Sequence, residues 1–257
     1  MGKVRFGVCQ WCIPARGVQA IALASELGFA GVEMDMGIGK PGLELREEAV
    51  LDAFIAAKEK TGMAYPALAL NGIEMNRPQA EEETQALILR AAQIARRLGA
   101  DTLQMPSFGS AQMEDEADFE QSVKALRFAC DQAPDLQIGS ENTLGIQGNQ
   151  RLLEQVNRDN FFIYYDGANI ENIRREDGAA FYTQMAGTIR QAHAKDLYLA
   201  QPWQKARPAV LGQGECRARE ILETMRALDF SGWIFVENGH EGERLKKDLH
   251  VLKRCFG

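Results

Sequence analysis

Four short apolar runs in this chain stop at polar or charged residues. They are Leu136-Gln-Ile-Gly-Ser-Glu141, Phe161-Phe-Ile-Tyr-Tyr-Asp166, Thr188-Ile-Arg-Gln-Ala-His-Ala-Lys-Asp196 and Trp233-Ile-Phe-Val-Glu237. Each reads as a buried strand whose end reaches a polar site. Four further strands are predicted over 4–9, 31–34, 63–70 and 102–105, the last cut by Pro106. Between the strands, apolar residues recur at helical spacing over 18–27, 47–61, 80–98, 118–132, 149–156, 176–185, 216–228 and 241–254. Gly28, Gly62 and Gly99 stand where three of these helices stop, as glycine C-caps do.

Strand and helix alternate eight times, which implies parallel strands joined by right-handed crossovers. The expected fold is α/β, a (β/α)8 barrel. With no Pro/Ser-rich linker or shift in composition, 1–257 is expected to form a single domain. A length of 257 residues suits that architecture, which typically takes about 250. The stretch 197–214 shows no periodicity and reads as the longest loop, with a turn-like Gln201-Pro-Trp-Gln-Lys205. It is expected to close over a substrate, with Gly212 and Gly214 as hinges.

Composition narrows the function. A net charge of −7 and a pI near 5.2 argue against a nucleic-acid surface. No apolar run approaches the roughly 18 residues that a membrane span needs. Five scattered Cys fit a reducing compartment better than a disulfide scaffold. Met1-Gly-Lys-Val-Arg5 leads straight into a strand, so no signal peptide and a cytoplasmic location are expected.

Side chains at the ends of parallel strands converge on one face of a barrel. Glu141, Asp166, His193 and Glu237 follow one another by 25, 27 and 44 residues, about one strand–helix unit each with room for the long loop. Two Glu, one Asp and one His make an oxygen-rich set with one imidazole. That set suits one divalent ion, Mn²⁺ first, with Mg²⁺, Co²⁺ or Zn²⁺ as alternatives. The competing reading is that such carboxylates cap helices or pair with Arg.

Several motifs in order resemble the xylose-isomerase-like TIM barrels, the sugar phosphate isomerase/epimerase group that includes ketose 3-epimerases, hydroxypyruvate isomerases and, more distantly, endonuclease IV. They are Gly28-Phe-Ala-Gly-Val-Glu33, Ser140-Glu-Asn142, Tyr165-Asp-Gly-Ala-Asn169, His193-Ala-Lys-Asp196, Leu211-Gly-Gln-Gly214 and Gly232-Trp-Ile-Phe-Val-Glu237. The resemblance implies that Glu141 and Glu237 bind metal and also exchange protons with a substrate. It implies a metal-dependent isomerase or epimerase of a ketose, a sugar phosphate or a small α-hydroxy carbonyl compound, working through an enediolate. The alternatives are a dehydratase or lyase on the same metal-binding barrel, or an endonuclease IV-like nuclease. The nuclease's three-metal site uses several His, whereas this chain has three His in all and only His193 matches a ligand position. The expected partner is a small carbohydrate-like molecule, with no nucleic acid and no membrane; a homo-oligomer is compatible with the sequence.

Other residues carry two readings. Lys195 either neutralises developing charge and binds a substrate oxygen, or pairs with Asp196. Asn169 stands three after Asp166, where several sugar epimerases of the group carry His, and is a substrate-binding candidate. Asn71 is a hydroxyl binder or a turn residue. Arg207 meets a phosphate or carboxylate, or is a solvated loop charge. Cys9-Gln-Trp-Cys12 has redox spacing but lies at a strand mouth, not at the strand–helix turn that lowers a thiol pKa. Trp11 reads as an apolar wall of the pocket.

Overall fold

A computed structural model describes residues 3–201 and 204–257. In chain order the elements are β1 (Val4–Cys9), α1 (Val18–Glu26), β2 (Gly31–Asp35), α2 (Glu48–Thr61), β3 (Ala67–Ala69), α3 (Glu81–Leu98), β4 (Thr102–Ser107), α4 (Glu116–Gln132), β5 (Gln137–Asn142), α5 (Ile146–Val156), β6 (Phe161–Asp166), the single turn α6 (Gly167–Asn169), α7 (Gly178–Met185), β7 (Ile189–Ala194), β8 (Asp196–Tyr198), β9 (Arg207–Ala209), α8 (Ala218–Ala227), β10 (Gly232–Val236) and α9 (Gly242–Phe256). Eight strands close into a parallel barrel in the order β1-β10-β7-β6-β5-β4-β3-β2. This is the expected (β/α)8 barrel. Among the described residues no helix is long and apolar enough to cross a membrane.

Residues 33–164 form one compact unit. Every residue of β4 is buried, as parallel strands covered by helices require. α3 shows how its helices are written. Ile88, Ala91, Ala92, Ala95 and Leu98 make its buried stripe, Glu81, Glu82 and Glu83 its first turn, and Arg96 and Arg97 its last. The stripe supplies the packing energy and the end charges oppose the helix dipole. α2 and α3 stop at Gly62 and Gly99, both left-handed (φ 69° and 68°).

Of the boundaries that differ from expectation, three have a visible cause. β3 spans three residues only, because Pro66, just before it, has no N–H to give the ladder. β4 is not cut by Pro106. It runs to Ser107 with Pro106 opposite Glu141, and a proline near a strand end forfeits a single ladder bond. α4 begins at Glu116, because the Asp115 carboxylate accepts the Asp118 N–H at 2.9 Å and caps it.

Residues 1–32 and 165–257 form the second unit. Gly7 of β1, Phe235 of β10 and His193 of β7 share one register row. A Cβ on Gly7 would lie 2.5 Å from the Phe235 ring, so the small residue makes room for the large one on its neighbour. Gly139 and Phe162 form the same kind of pair in the first unit. Small–large alternation is how a narrow barrel fills its interior.

The loop expected over 197–214 holds structure. β8 and β9 form an antiparallel ribbon pairing Asp196 with Ala209, Leu197 with Pro208 and Tyr198 with Arg207. Three residues per strand are too few to show a period of two in the sequence. Pro202 and Trp203 of the turn-like run lie outside the described residues.

Candidate metal centre

β6 delivers Asp166 at its last position, and the three-residue turn α6 follows at once. The Asn169 backbone N–H donates to Asp166 Oδ1 at 3.0 Å, which leaves Oδ2 facing Lys195. β7 delivers His193, and Lys195 follows two residues on, on the same face of the strand. Glu237 comes directly after β10, its N–H donating to the Ala194 carbonyl.

These groups meet. Lys195 Nζ lies 2.7 Å from Asp166 Oδ2 and 2.7 Å from Glu237 Oε2. His193 Nδ1 is 3.5 Å from the same Glu237 oxygen and 4.0 Å from Asp166 Oδ2. The other Glu237 oxygen, Oε1, accepts the Trp11 indole N–H at 2.9 Å. The His193 side chain is fully buried, and Glu237 keeps 20% of its side chain exposed. Burial alone would raise the Glu237 carboxyl. The Lys195 ammonium, the His193 ring and the two hydrogen bonds outweigh it and hold the carboxyl well below the usual range.

In the unit 33–164, Glu141 ends β5 together with Ser140 and Asn142. Gln104 of β4 donates its side-chain N–H to Glu141 Oε2 at 2.5 Å. Asn142 ties down the loop after the strand, accepting the Leu144 N–H and donating to Asn149. Asp166, His193 and Glu237 each offer a ligand atom, with His193 Nδ1 within 4.0 Å of an oxygen of each carboxylate. These three, two hard carboxylates and one imidazole, suit one divalent ion. A cationic ammonium seated between two of the carboxylates marks the same demand for positive charge.

Lys195 does not pair with Asp196. Asp196 is fully buried and accepts four backbone N–H groups: Leu197 at 3.0 Å, Gly212 at 2.9 Å, Gly214 at 3.0 Å and Cys216 at 3.0 Å. The Gly212 and Gly214 N–H groups, expected at hinges, are both held on Asp196 here. Asn169 is buried beside Asp166. Asn71 lies in the turn after β3, where it borders a hollow of about 150 Å³ with Pro106, Phe108 and Ser110. Arg207 stands on the ribbon, its guanidinium stacked 4.7 Å over the Tyr198 ring. Cys12 is no low-pKa thiol. Burial, then the nearby Glu237 carboxylate, pushes it up to about 12. Trp11 and Gln104 make polar contacts that sequence reasoning missed: Trp11 read as an apolar wall, and Gln104 stands in no motif.

The anchored segment has a second buried carboxylate. Asp248 of α9 accepts the Leu211 N–H and the Asn238 side-chain N–H, both at 2.8 Å. Burial raises it from 3.8 to about 6. The two hydrogen bonds and Arg244 pull it down, and Asp196 pushes it up. A raised carboxyl favours the folded state when protonated. Its contribution is full below pH 3.8 and lost as the pH rises through about 6. A difference of about two pH units is worth about 3 kcal/mol at most. Melting curves across this range should be flatter with pH in Asp248→Asn than in the wild type; two parallel profiles would refute the assignment.

Residues 21–255 match the xylose isomerase-like TIM barrel family. The chain belongs to that family. Within reach of this xylose isomerase-like chain is the 2-epi-5-epi-valiolone 7-phosphate 2-epimerase of an Actinoplanes species. It is 27% identical over 98% of this chain and 94% of its own length. A D-allulose 3-epimerase from Methylomonas sp., solved with D-allulose, superposes with a TM-score of 0.78 at 15% identity, covering 99% of this chain and 98% of that one. A xylose isomerase-like TIM barrel protein from Mycobacterium smegmatis, solved with magnesium, superposes with a TM-score of 0.75 at 14% identity, covering 98% of each chain.

Proposed function

We propose that the chain, acting as one barrel domain, is a divalent-metal-dependent epimerase or isomerase of a ketose, a sugar phosphate or a small α-hydroxy carbonyl compound. The observation that carries this reading is the cluster of Asp166, His193 and Glu237 at three barrel strand ends, with Glu141 at the end of a fourth strand. The Actinoplanes relative supports it, since its name describes inversion at carbon 2 of a phosphorylated ketone. Mn²⁺ suits the donors, and the magnesium in the Mycobacterium neighbour is in keeping with an oxygen-rich site.

A bound ion would supply Lewis-acid polarisation of a substrate carbonyl, which acidifies the neighbouring C–H. The remaining work falls to side chains. Glu141 and Glu237 come from different strands, so one removes the proton α to the carbonyl and the other returns a proton on the opposite face. Gln104 holds Glu141 Oε2 in place for this. Lys195 sits between Asp166 and Glu237, two residues that would hold an ion, and would meet a substrate oxygen that gains charge once an ion took its place there. Until then its ammonium keeps Glu237 ionised and a weak base. Asn71, Asn169 and Arg207 remain candidates for substrate hydroxyl or phosphate groups.

Metal analysis of the purified protein should give about one ion per chain. Asp166→Asn should lose that ion and stay folded. Full occupancy in the variant would sink the ligand assignment. Mass spectrometry of the product separates this reading from a dehydratase: an epimer has an unchanged mass, whereas a dehydration product has lost water.

A further inference from the structure

Trp11 stands in a 3-10 turn, Gln10–Cys12, directly after β1. Its neutral N–H holds one oxygen of Glu237, Oε1. The other oxygen, Oε2, faces the Lys195 ammonium and the His193 ring. The two oxygens therefore have different partners. The same indole meets the His193 ring edge-on, with centroids 6.0 Å apart and planes at 76°. One side chain thus touches two of the four donors.

We infer that Trp11 is a positioning residue: its N–H fixes which Glu237 oxygen faces the cation, and its ring edge steadies His193 beside it. The inference rests on the metal-dependent reading above. The last torsion of a glutamate is broad and nearly two-fold, so an unrestrained carboxylate offers either oxygen or both. A hydrogen bond to Oε1 removes that freedom. The donor is uncharged, so it restrains the carboxylate without competing for the place of the ion. Groups that orient metal ligands in this way contribute about 10–100-fold to metal affinity. Trp11→Phe would keep an aromatic ring for packing and lose the N–H.

The test uses the full chain stripped of metal, with metal alone as the probe. Calorimetric titration with Mn²⁺ should show one site in the wild type and affinity weaker by about tenfold or more in Trp11→Phe. A nitrogen–proton spectrum gives a second measurement that needs no folded variant at position 11. One indole N–H resonance of the wild type should shift when Mg²⁺ is added and lie elsewhere in Glu237→Gln, and where Trp11→Phe folds this is the resonance it lacks. Equal Mn²⁺ affinity in Trp11→Phe overturns the inference and leaves the metal reading standing. So does a wild type that binds Mg²⁺ with every indole resonance unmoved. A wild type that takes up neither ion removes the metal reading and the inference with it.

Discussion

Glu237→Gln should lower turnover of a true substrate by at least about 10²-fold, the usual contribution of a general base, and Glu141→Gln should do the same. Gln is nearly isosteric with Glu, and its side-chain oxygen can still accept the Trp11 N–H and sit against a cation. It cannot take a proton. The substitution therefore separates proton transfer from cation binding, and Mn²⁺ content measured on the same samples shows that the site survives. In deuterated water the wild type should put deuterium at the reacting carbon, unless the proton is passed internally without exchange. Near-normal turnover in both variants, with the ion still bound, would rule out the two-glutamate mechanism while leaving the barrel untouched.

Asp196→Ala should cost about 3–5 kcal/mol, because it leaves buried backbone N–H groups without their acceptor. Four backbone N–H groups point at this carboxylate. Hydrogen bonds to a charged group are each worth about 1.5–3 kcal/mol, but they share one acceptor and the freed loop regains water, so the sum is an upper bound. Denaturant unfolding measures the loss. Hydrogen exchange localises it, since the Gly212, Gly214 and Cys216 amides should exchange faster while those of β1 stay protected. A cost under about 1 kcal/mol would show that the loop is held by other contacts.

The barrel was legible because its strands carry their own punctuation. Apolar runs ending at Glu141, Asp166, His193 and Glu237 place those residues at strand ends, and the parallel topology does the rest. What sequence could not show was pairing between single residues. Trp11 and Glu237 are 226 positions apart, and nothing local to Trp11 distinguishes a pocket wall from a hydrogen-bond donor. Lys195 and Asp196 are adjacent and opposite in charge, so pairing them was the natural expectation. A strand sends neighbours to opposite faces, so Lys195 goes to the mouth and Asp196 to the loop behind it. The ribbon of β8 and β9 escaped because its residues are ordered by Asp196 and by each other rather than by an apolar face.

The tight fit around Asp196 constrains how relatives of this chain can diverge. A Cβ at position 214 would lie 2.3 Å from Asp196 Oδ1 and 2.7 Å from the Leu197 carbonyl oxygen. Neither position can drift alone: a side chain at 214 displaces the carboxylate, and a shorter residue at 196 strands the amides gathered there. Positions 196 and 214 should therefore be inherited as a pair, changing together where they change, while the ribbon between them is free to vary in sequence as substrates vary.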